Sequence, residues 1–131
     1  MTVLAVLLGG IVGTGLRLAI DFAIPHGDTD FPLSTLLINL VGAFALGLLV
    51  ARVWPTAPGW LKAGLGSGLL GSFTTFSALA VSLVTLAHSG EWMPALAYLL
   101  ASVLLGLGTA WLGLHVGGRG RPVTPLDEVT E

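Results

Sequence analysis

Residues 68–79 read GLLGSFTTFSAL and place glycines, hydroxyls and aromatic rings inside an otherwise apolar segment. The segment runs from Ala63 to Ala87, 25 residues without an ionisable side chain, whereas a helix needs only about 20 residues to cross a bilayer. The glycines and hydroxyl residues lower helix propensity where this extra length falls. We therefore predict a membrane-spanning helix that is broken near residues 71–75.

A break in a spanning helix indicates a function because it is energetically costly. Unpaired backbone groups are strongly disfavoured in hydrocarbon, so non-helical backbone at this depth must be buried in protein or line a polar cavity. Residues 68–79 are therefore the leading candidate site of the chain.

The composition of the whole chain is that of an integral membrane protein. Of the 131 residues, 54% are hydrophobic and 9% are charged, and the mean hydropathy is +0.94, which is atypical of soluble domains. Cysteine is absent, which excludes disulfides, thiolate metal sites and cysteine nucleophiles. The net charge of -2 is too small to indicate a nucleic-acid partner.

Long apolar runs separated by short polar connections predict an all-α fold with four transmembrane helices. Between residues 33 and 114 the only full charges are Arg52, Lys62 and Glu91, and each lies in a short break between apolar runs. The sequence therefore predicts one transmembrane domain over residues 1–116, followed by a polar tail that is expected to be disordered. The predicted helices cover about residues 2–24, 33–51, 62–87 and 93–114, and the tail covers residues 117–131.

Helix 1 combines a thin packing face with an intramembrane arginine. Its glycines favour close contact with a neighbouring helix. These glycines are Gly9, Gly10, Gly13 and Gly15. Arg17 lies four residues before Asp21, a spacing typical of an ion pair on a helix surface. An intramembrane arginine can instead attract anions to a vestibule or stabilise the surrounding structure, and the sequence leaves both interpretations open.

Two further helices carry polar side chains four residues apart, a spacing that stacks them on one helix face. In helix 2 these are Thr35 and Asn39, and in helix 4 they are Tyr98 and Ser102, with Gly106 one turn later. Hydrogen bonds or close packing between helices explain such residues in many membrane proteins. A pore lining is the alternative, because neutral N–H and O–H donors suit an anion that sheds its water.

The sequence does not indicate an enzyme. Its three histidines have no second ligand at a metal-site spacing, and its glycine clusters match no nucleotide-binding motif. The acidic residues before the tail lie in connections or near helix ends, so none is placed for acid–base chemistry or proton-coupled transport. These acidic residues are Asp21, Asp28, Asp30 and Glu91.

Size and charge together favour a dimer with a defined orientation. Four helices enclose no pathway of their own and do not shield a broken helix on all sides. If the N-terminus is cytoplasmic, the outer loops contain no lysine or arginine, which is the bias that the positive-inside rule expects. The basic residues of the inner segments are Arg52, Lys62, Arg119 and Arg121.

Three motifs resemble the Fluc (CrcB) family of bacterial fluoride channels over nearly all of the chain. They are GGIVGTGLRLAI at residues 9–20, STLLINLVGAFALG at residues 34–47 and GLLGSFTTFSAL at residues 68–79. The resemblance implies a multi-pass protein of the bacterial inner membrane that passively exports fluoride and so provides fluoride resistance. It also implies an antiparallel, dual-topology dimer with two fluoride pathways and a central structural sodium ion.

The resemblance further implies roles for individual residues. Main-chain carbonyls of Gly71 and Thr74 would hold the sodium ion, which receives each ligand from both subunits. Amide and hydroxyl donors and the ring edge of Phe76 would replace the water around fluoride. The residues that map onto the fluoride pathway or its polar track are Thr35, Asn39, Thr75, Phe76, Ser77, Tyr98 and Ser102.

Two positions depart from the family pattern. Leu79 stands where the family has the second phenylalanine of a pair, and Gly106 stands where it has a serine. The charge bias also departs from the near balance expected of a subunit that inserts both ways. We therefore hypothesise that the chain pairs with a homologous subunit of opposite topology. The alternatives are a non-conducting accessory subunit and a small dual-topology cation or drug transporter, although the latter needs an intramembrane carboxylate.

Overall fold

Apolar runs of 20 to 30 residues form the helices. The structure, a computed structural model, describes residues 1–24 and 30–119. Helix α1 covers Thr2–Ala23, α2 covers Leu33–Arg52 and α4 covers Trp92–Gly118. The third span, Gly59–His88, consists of α3a at residues 59–73 and α3b at Phe76–His88.

These elements confirm the predicted all-α membrane fold with a broken third helix. All four spans are long and apolar enough to cross a membrane, and the described residues contain no strand. The third span begins at Gly59, earlier than predicted, and α4 continues through Gly117 and Gly118 into the predicted tail. The α4 extension packs on α2, since Gly117 is buried against Leu48 and Ala51. Pro25, His26, Asp28 and residues 120–131 lie outside the described residues.

The four spans form two pairs of helices, and the two helices of each pair are parallel. Helix α1 packs mainly on α3a, and α2 packs mainly on α4. In the first pair Gly13 lies against the backbone carbonyl of Leu69, and in the second Gly113 lies against that of Phe44. A side chain at either glycine would overlap that carbonyl, so these glycines permit an approach that larger residues prevent. In the predicted glycine face of α1, Gly9 also makes such a contact, whereas Gly15 has no neighbour within 4 Å.

The third span changes its partner at the break. Its first half contacts α1, whereas α3b contacts α4 and, to a smaller extent, α2. Most apolar side chains remain exposed, especially on α1 and α4, because lipid rather than protein covers the outside of a membrane bundle. The break therefore lies at the junction between the two helix pairs.

Charged side chains divide between the two ends of the bundle. Where α2 and α4 end and α3a begins, the structure has Arg52, Lys62 and Arg119, which define the basic end. The described acidic residues all lie at the opposite end, the acidic end, where α1 ends and α2 and α4 begin. They are Asp21, Asp30 and Glu91.

Candidate functional site at the break of the third helix

The third span breaks at Thr74 and Thr75, in the middle of its 30 residues and inside the predicted interval. Both residues have extended backbone, with ψ 157° at Thr74 and ψ 117° at Thr75. Gly71 is itself helical, with φ -63° and ψ -29°, so a glycine does not produce the break. At the break, side-chain hydrogen bonds replace helical ones.

A π-helical segment precedes the break. It covers Gly64–Leu70 and packs on α1, where a side chain at Gly68 would lie 2.7 Å from the Val6 carbonyl. A π-helix has more residues per turn than an α-helix, so it rotates the residues that follow it, and such segments are frequent at functional sites. No pattern in the sequence predicted this segment.

Asn39 of α2 holds the Thr75 backbone with two hydrogen bonds. Its Nδ2 donates to the Thr75 carbonyl at 3.0 Å, and the Thr75 N–H donates to its Oδ1 at 2.9 Å. In a continuous helix this N–H would donate to the carbonyl of Gly71, four residues earlier. The Asn39 side chain therefore takes the N–H group that would otherwise donate to the Gly71 carbonyl.

The Thr75 side chain takes the helical donor of the Thr74 carbonyl in the same way. Its Oγ1 accepts a hydrogen bond from the Ala78 N–H at 3.1 Å and so caps the N-terminus of α3b. In a continuous helix that N–H would donate to the Thr74 carbonyl. Four carbonyl groups, those of residues 71–74, thus lack their helical donors at the break, and side chains divert the donors of two of them, Gly71 and Thr74.

These two carbonyls are suitable ligands for an alkali cation. Neutral main-chain oxygens are the hard ligands that coordinate such ions in channels. Among residues 1–24 and 30–119, no cluster of histidine and acidic side chains could hold a metal ion. The donor set at the break therefore fits a sodium ion better than it fits a transition metal.

A groove of about 820 Å³ runs from the break towards the basic end. The exposed ring of Phe76 and, one turn later, Leu79 line it, so both positions of the predicted phenylalanine pair face the same space. Lys62 is the only charged residue of its lining. The other predicted site residues in the lining are Asn39, Gly71, Thr74 and Thr75.

A second polar cluster lies between α2 and α4, outside this groove and nearer the acidic end. Tyr98 is fully buried, and the Phe31 ring contacts it edge-on with ring centroids 5.5 Å apart. The side chains of Thr35 and Ser102 lie next to its hydroxyl. The hydroxyls of Tyr98 and Ser102 are nevertheless buried without a well-formed hydrogen bond. The cluster therefore presents O–H donors that are available to a small acceptor.

The structure gives the contacts of Asn39, Ser77 and Arg17, whose functional roles stay predictions. Asn39 does form hydrogen bonds between helices, and its second amide hydrogen remains available as a donor. Ser77 lies beside the break, with its hydroxyl 3.2 Å from that of Thr75. Arg17 is half-buried one turn beyond Gly13, and it forms no ion pair with Asp21.

Sequence reasoning missed three residues next to these sites. Trp54 and Lys62 line the groove at the basic end, and Phe31 packs on Tyr98. The tryptophan and the lysine match ordinary membrane-interface residues in type and position, and Phe31 belongs to no motif. No sequence signal distinguished them from such residues.

Nearly the whole chain is similar to known proteins. A family profile described as "CrcB-like protein, Camphor Resistance (CrcB)" matches residues 4–114. The chain is 41% identical over 116 residues to the fluoride-specific ion channel FluC of Paracoccus denitrificans. The aligned region covers 88% of this chain and 94% of the relative. It is 42% identical over 111 residues to fluoride-specific ion channel FluC 2 of Moorella thermoacetica, covering 84% and 91% of the two chains.

Proposed function

The chain belongs to the CrcB-like family, and we propose that it is a fluoride-selective channel that passively exports fluoride from the cytoplasm. It is a multi-pass membrane protein, which we place in the bacterial inner membrane. The observation that carries the proposal is the break at Thr74 and Thr75. In the middle of a spanning helix, it gathers neutral hydrogen-bond donors and no ionisable side chain.

Neutral donors suit the conduction of fluoride. Fluoride is small and strongly hydrated, so a pathway must replace its water, yet a full positive charge would hold the ion too tightly for rapid release. The second amide hydrogen of Asn39 can donate to the anion, and so can one hydroxyl of the Thr75–Ser77 pair, since the other donates within the pair. The edge of the exposed Phe76 ring carries partial positive charge and can contact it as well.

We place the two polar clusters in sequence along one fluoride route. Thr35 and Asn39 are four residues apart on α2, which is about 6 Å along a helix at about 1.5 Å per residue. The groove leads from Asn39 to the basic end, and the Tyr98 and Ser102 hydroxyls lie between Asn39 and the acidic end. Leaving a polar group buried and unpaired costs about 1–3 kcal/mol, which an anion at these hydroxyls would recover.

We also propose a structural sodium ion at the break. The carbonyls of Gly71 and Thr74 would hold it, because Asn39 and Thr75 divert the N–H groups that would otherwise occupy them. The bound cation would neutralise the carbonyl dipoles. Two carbonyls are too few for a sodium ion, so a second copy related by a two-fold axis would supply the same pair again.

The dimer would be antiparallel, with one pathway on each side of the crossing. The open groove and the exposed Phe76 in the single chain support this arrangement, because a second subunit would enclose both. The partner is either a second copy or a homologous subunit. Leu79 in the groove wall and the separation of charges between the two ends favour a homologous subunit, since an unbiased chain inserts in both directions.

Fluoride efflux from liposomes tests the proposal. The purified chain, alone and together with a homologous subunit from the same genome, is reconstituted into vesicles loaded with potassium fluoride or potassium chloride. Valinomycin then removes the opposing potential. We expect rapid loss of fluoride and negligible loss of chloride. Fluoride loss no faster than from protein-free vesicles in both preparations would overturn the channel proposal, and rapid loss from the chain alone would overturn the need for a different subunit.

The same vesicles separate the alternatives. A cation or drug transporter would accumulate a lipophilic cation such as tetraphenylphosphonium when a pH gradient is imposed, whereas a fluoride channel would not. A non-conducting accessory subunit would leave the flux of the mixed preparation unchanged when its own Asn39 is replaced. The absence of a charged residue other than Lys62 in the groove lining favours the fluoride channel.

A further inference from the structure

A second groove lies at the basic end, apart from the site at the break. It has a volume of about 430 Å³ and lies where α2 and α4 end side by side. Its lining is aliphatic except for one exposed arginine, Arg52. The aliphatic residues are Leu48, Leu49, Val53 and Val116.

The groove results from the close crossing of the two helices. At Gly113 and Gly117 the backbone of α4 approaches that of α2, so that a side chain at Gly117 would lie 3.0 Å from the Leu48 carbonyl. The larger side chains beside the crossing, Leu49 and Val116, therefore form walls rather than filling the space between the helices. The result is an apolar groove that opens beside the Arg52 guanidinium group.

The charge balance of the two helix ends that form this groove favours an anion. Each helix C-terminus carries a partial charge of about -0.5 from its free carbonyls, so α2 and α4 together contribute about -1. Arg52 and Arg119 contribute two full positive charges, which leaves an excess of about one positive charge. The described acidic residues all lie at the acidic end, and Arg52 forms no ion pair with a described residue.

We propose that this groove binds one anionic phospholipid. Its phosphate would pair with Arg52, and the start of an acyl chain would lie between Leu49 and Val116. Basic pockets between transmembrane helices at the membrane surface recognise lipid headgroups in this way. The proposal does not depend on the ion that the protein conducts.

Native mass spectrometry of the purified, full-length protein tests the proposal. The protein is equilibrated with equal amounts of phosphatidylglycerol and phosphatidylcholine that carry the same acyl chains. We expect a preference for phosphatidylglycerol, which Arg52→Gln lowers about fivefold, the effect of one basic residue near a membrane surface. Lys62→Gln, which removes another exposed cation of the basic end away from this groove, should keep the preference.

Two further variants make the test specific. Val116→Trp fills the groove and keeps Arg52, so it should also lower the binding of phosphatidylglycerol. Equal preferences in Arg52→Gln and Lys62→Gln, or an unchanged preference in Val116→Trp, would overturn the proposal. The tail contains Asp127, Glu128 and Glu131, which are rival partners for Arg52. If Asp127→Asn with Glu128→Gln and Glu131→Gln raised phosphatidylglycerol binding several-fold, the tail and not the lipid would occupy the groove in the native protein.

Discussion

Replacing Asn39 with leucine should destabilise the folded protein, because the side chain makes two hydrogen bonds to Thr75, at 3.0 and 2.9 Å. If Thr74 rotates from ψ 157° to a helical value, the freed Thr75 N–H donates to the Gly71 carbonyl. Loss of its bond to Asn39 then costs no more than about 1 kcal/mol, the net value of a typical hydrogen bond. The Thr75 carbonyl has no such replacement and costs about 1–3 kcal/mol if it stays buried and unpaired. We therefore expect Asn39→Leu to lower the free energy of unfolding by about 2–4 kcal/mol.

The same substitution should weaken any stabilisation by sodium. When the Thr75 N–H returns to the Gly71 carbonyl, that carbonyl is no longer available to a cation. Thr74→Val is the matched control, since it removes the hydrogen bond from Thr74 Oγ1 to the Leu70 carbonyl at 2.9 Å and leaves the Asn39 pair intact. The Leu70 carbonyl keeps its bond from the Thr74 N–H at 3.0 Å. The control should therefore cost about 1 kcal/mol or less and retain the sodium response.

Equilibrium unfolding in detergent micelles measures both effects. Each protein is unfolded in sodium chloride and in N-methylglucamine chloride at equal ionic strength. Asn39→Leu with the stability of Thr74→Val, or with the full sodium response of the native protein, would refute the role assigned to Asn39. If the native protein itself does not respond to sodium, the sodium proposal fails, and the difference in stability between the two variants still tests the hydrogen bonds.

Three other substitutions, the last with a matched control, test separate parts of the structure. Phe76→Ile removes the ring edge and should sharply reduce fluoride efflux from liposomes while the proposed dimer stays assembled on size-exclusion chromatography; unchanged efflux would contradict the proposed place of Phe76 in the pathway. Leu79→Phe should raise efflux of the chain reconstituted alone, because it restores a second ring in the groove, and a decrease would count against that reading. Gly113→Ala should destabilise the fold by more than about 2 kcal/mol through overpacking against the Phe44 carbonyl, whereas Gly108→Ala, which meets no atom within 4 Å, should be neutral or stabilising in thermal unfolding.

The residues of the site could be predicted from the sequence, but their contacts with one another could not. Glycines and hydroxyl residues in an overlong apolar run indicated the break, and Thr74 and Thr75 lie inside the predicted interval. The four-residue spacing of Thr35 and Asn39 correctly indicated that they share a helix face. The spacing did not show that Asn39 contacts the break while Thr35 lies beside Tyr98, because this depends on which element packs against α2 at each level of the bundle.

The amino-acid sequence by itself determined the four spans, the place of the break and the charge of each end, because these follow from the length, hydropathy and propensity of local segments. Only the tertiary structure decided which groups the backbone at the break forms hydrogen bonds with. The hydrogen bonds between Asn39 and Thr75 join residues 36 positions apart, and they exist because the third span leaves α1 and reaches α2 and α4 at this point. Residues 68–79 form a weak helix. Asn39 of the neighbouring helix holds the Thr75 backbone out of helical geometry, and Thr75 in turn caps the second half of the span.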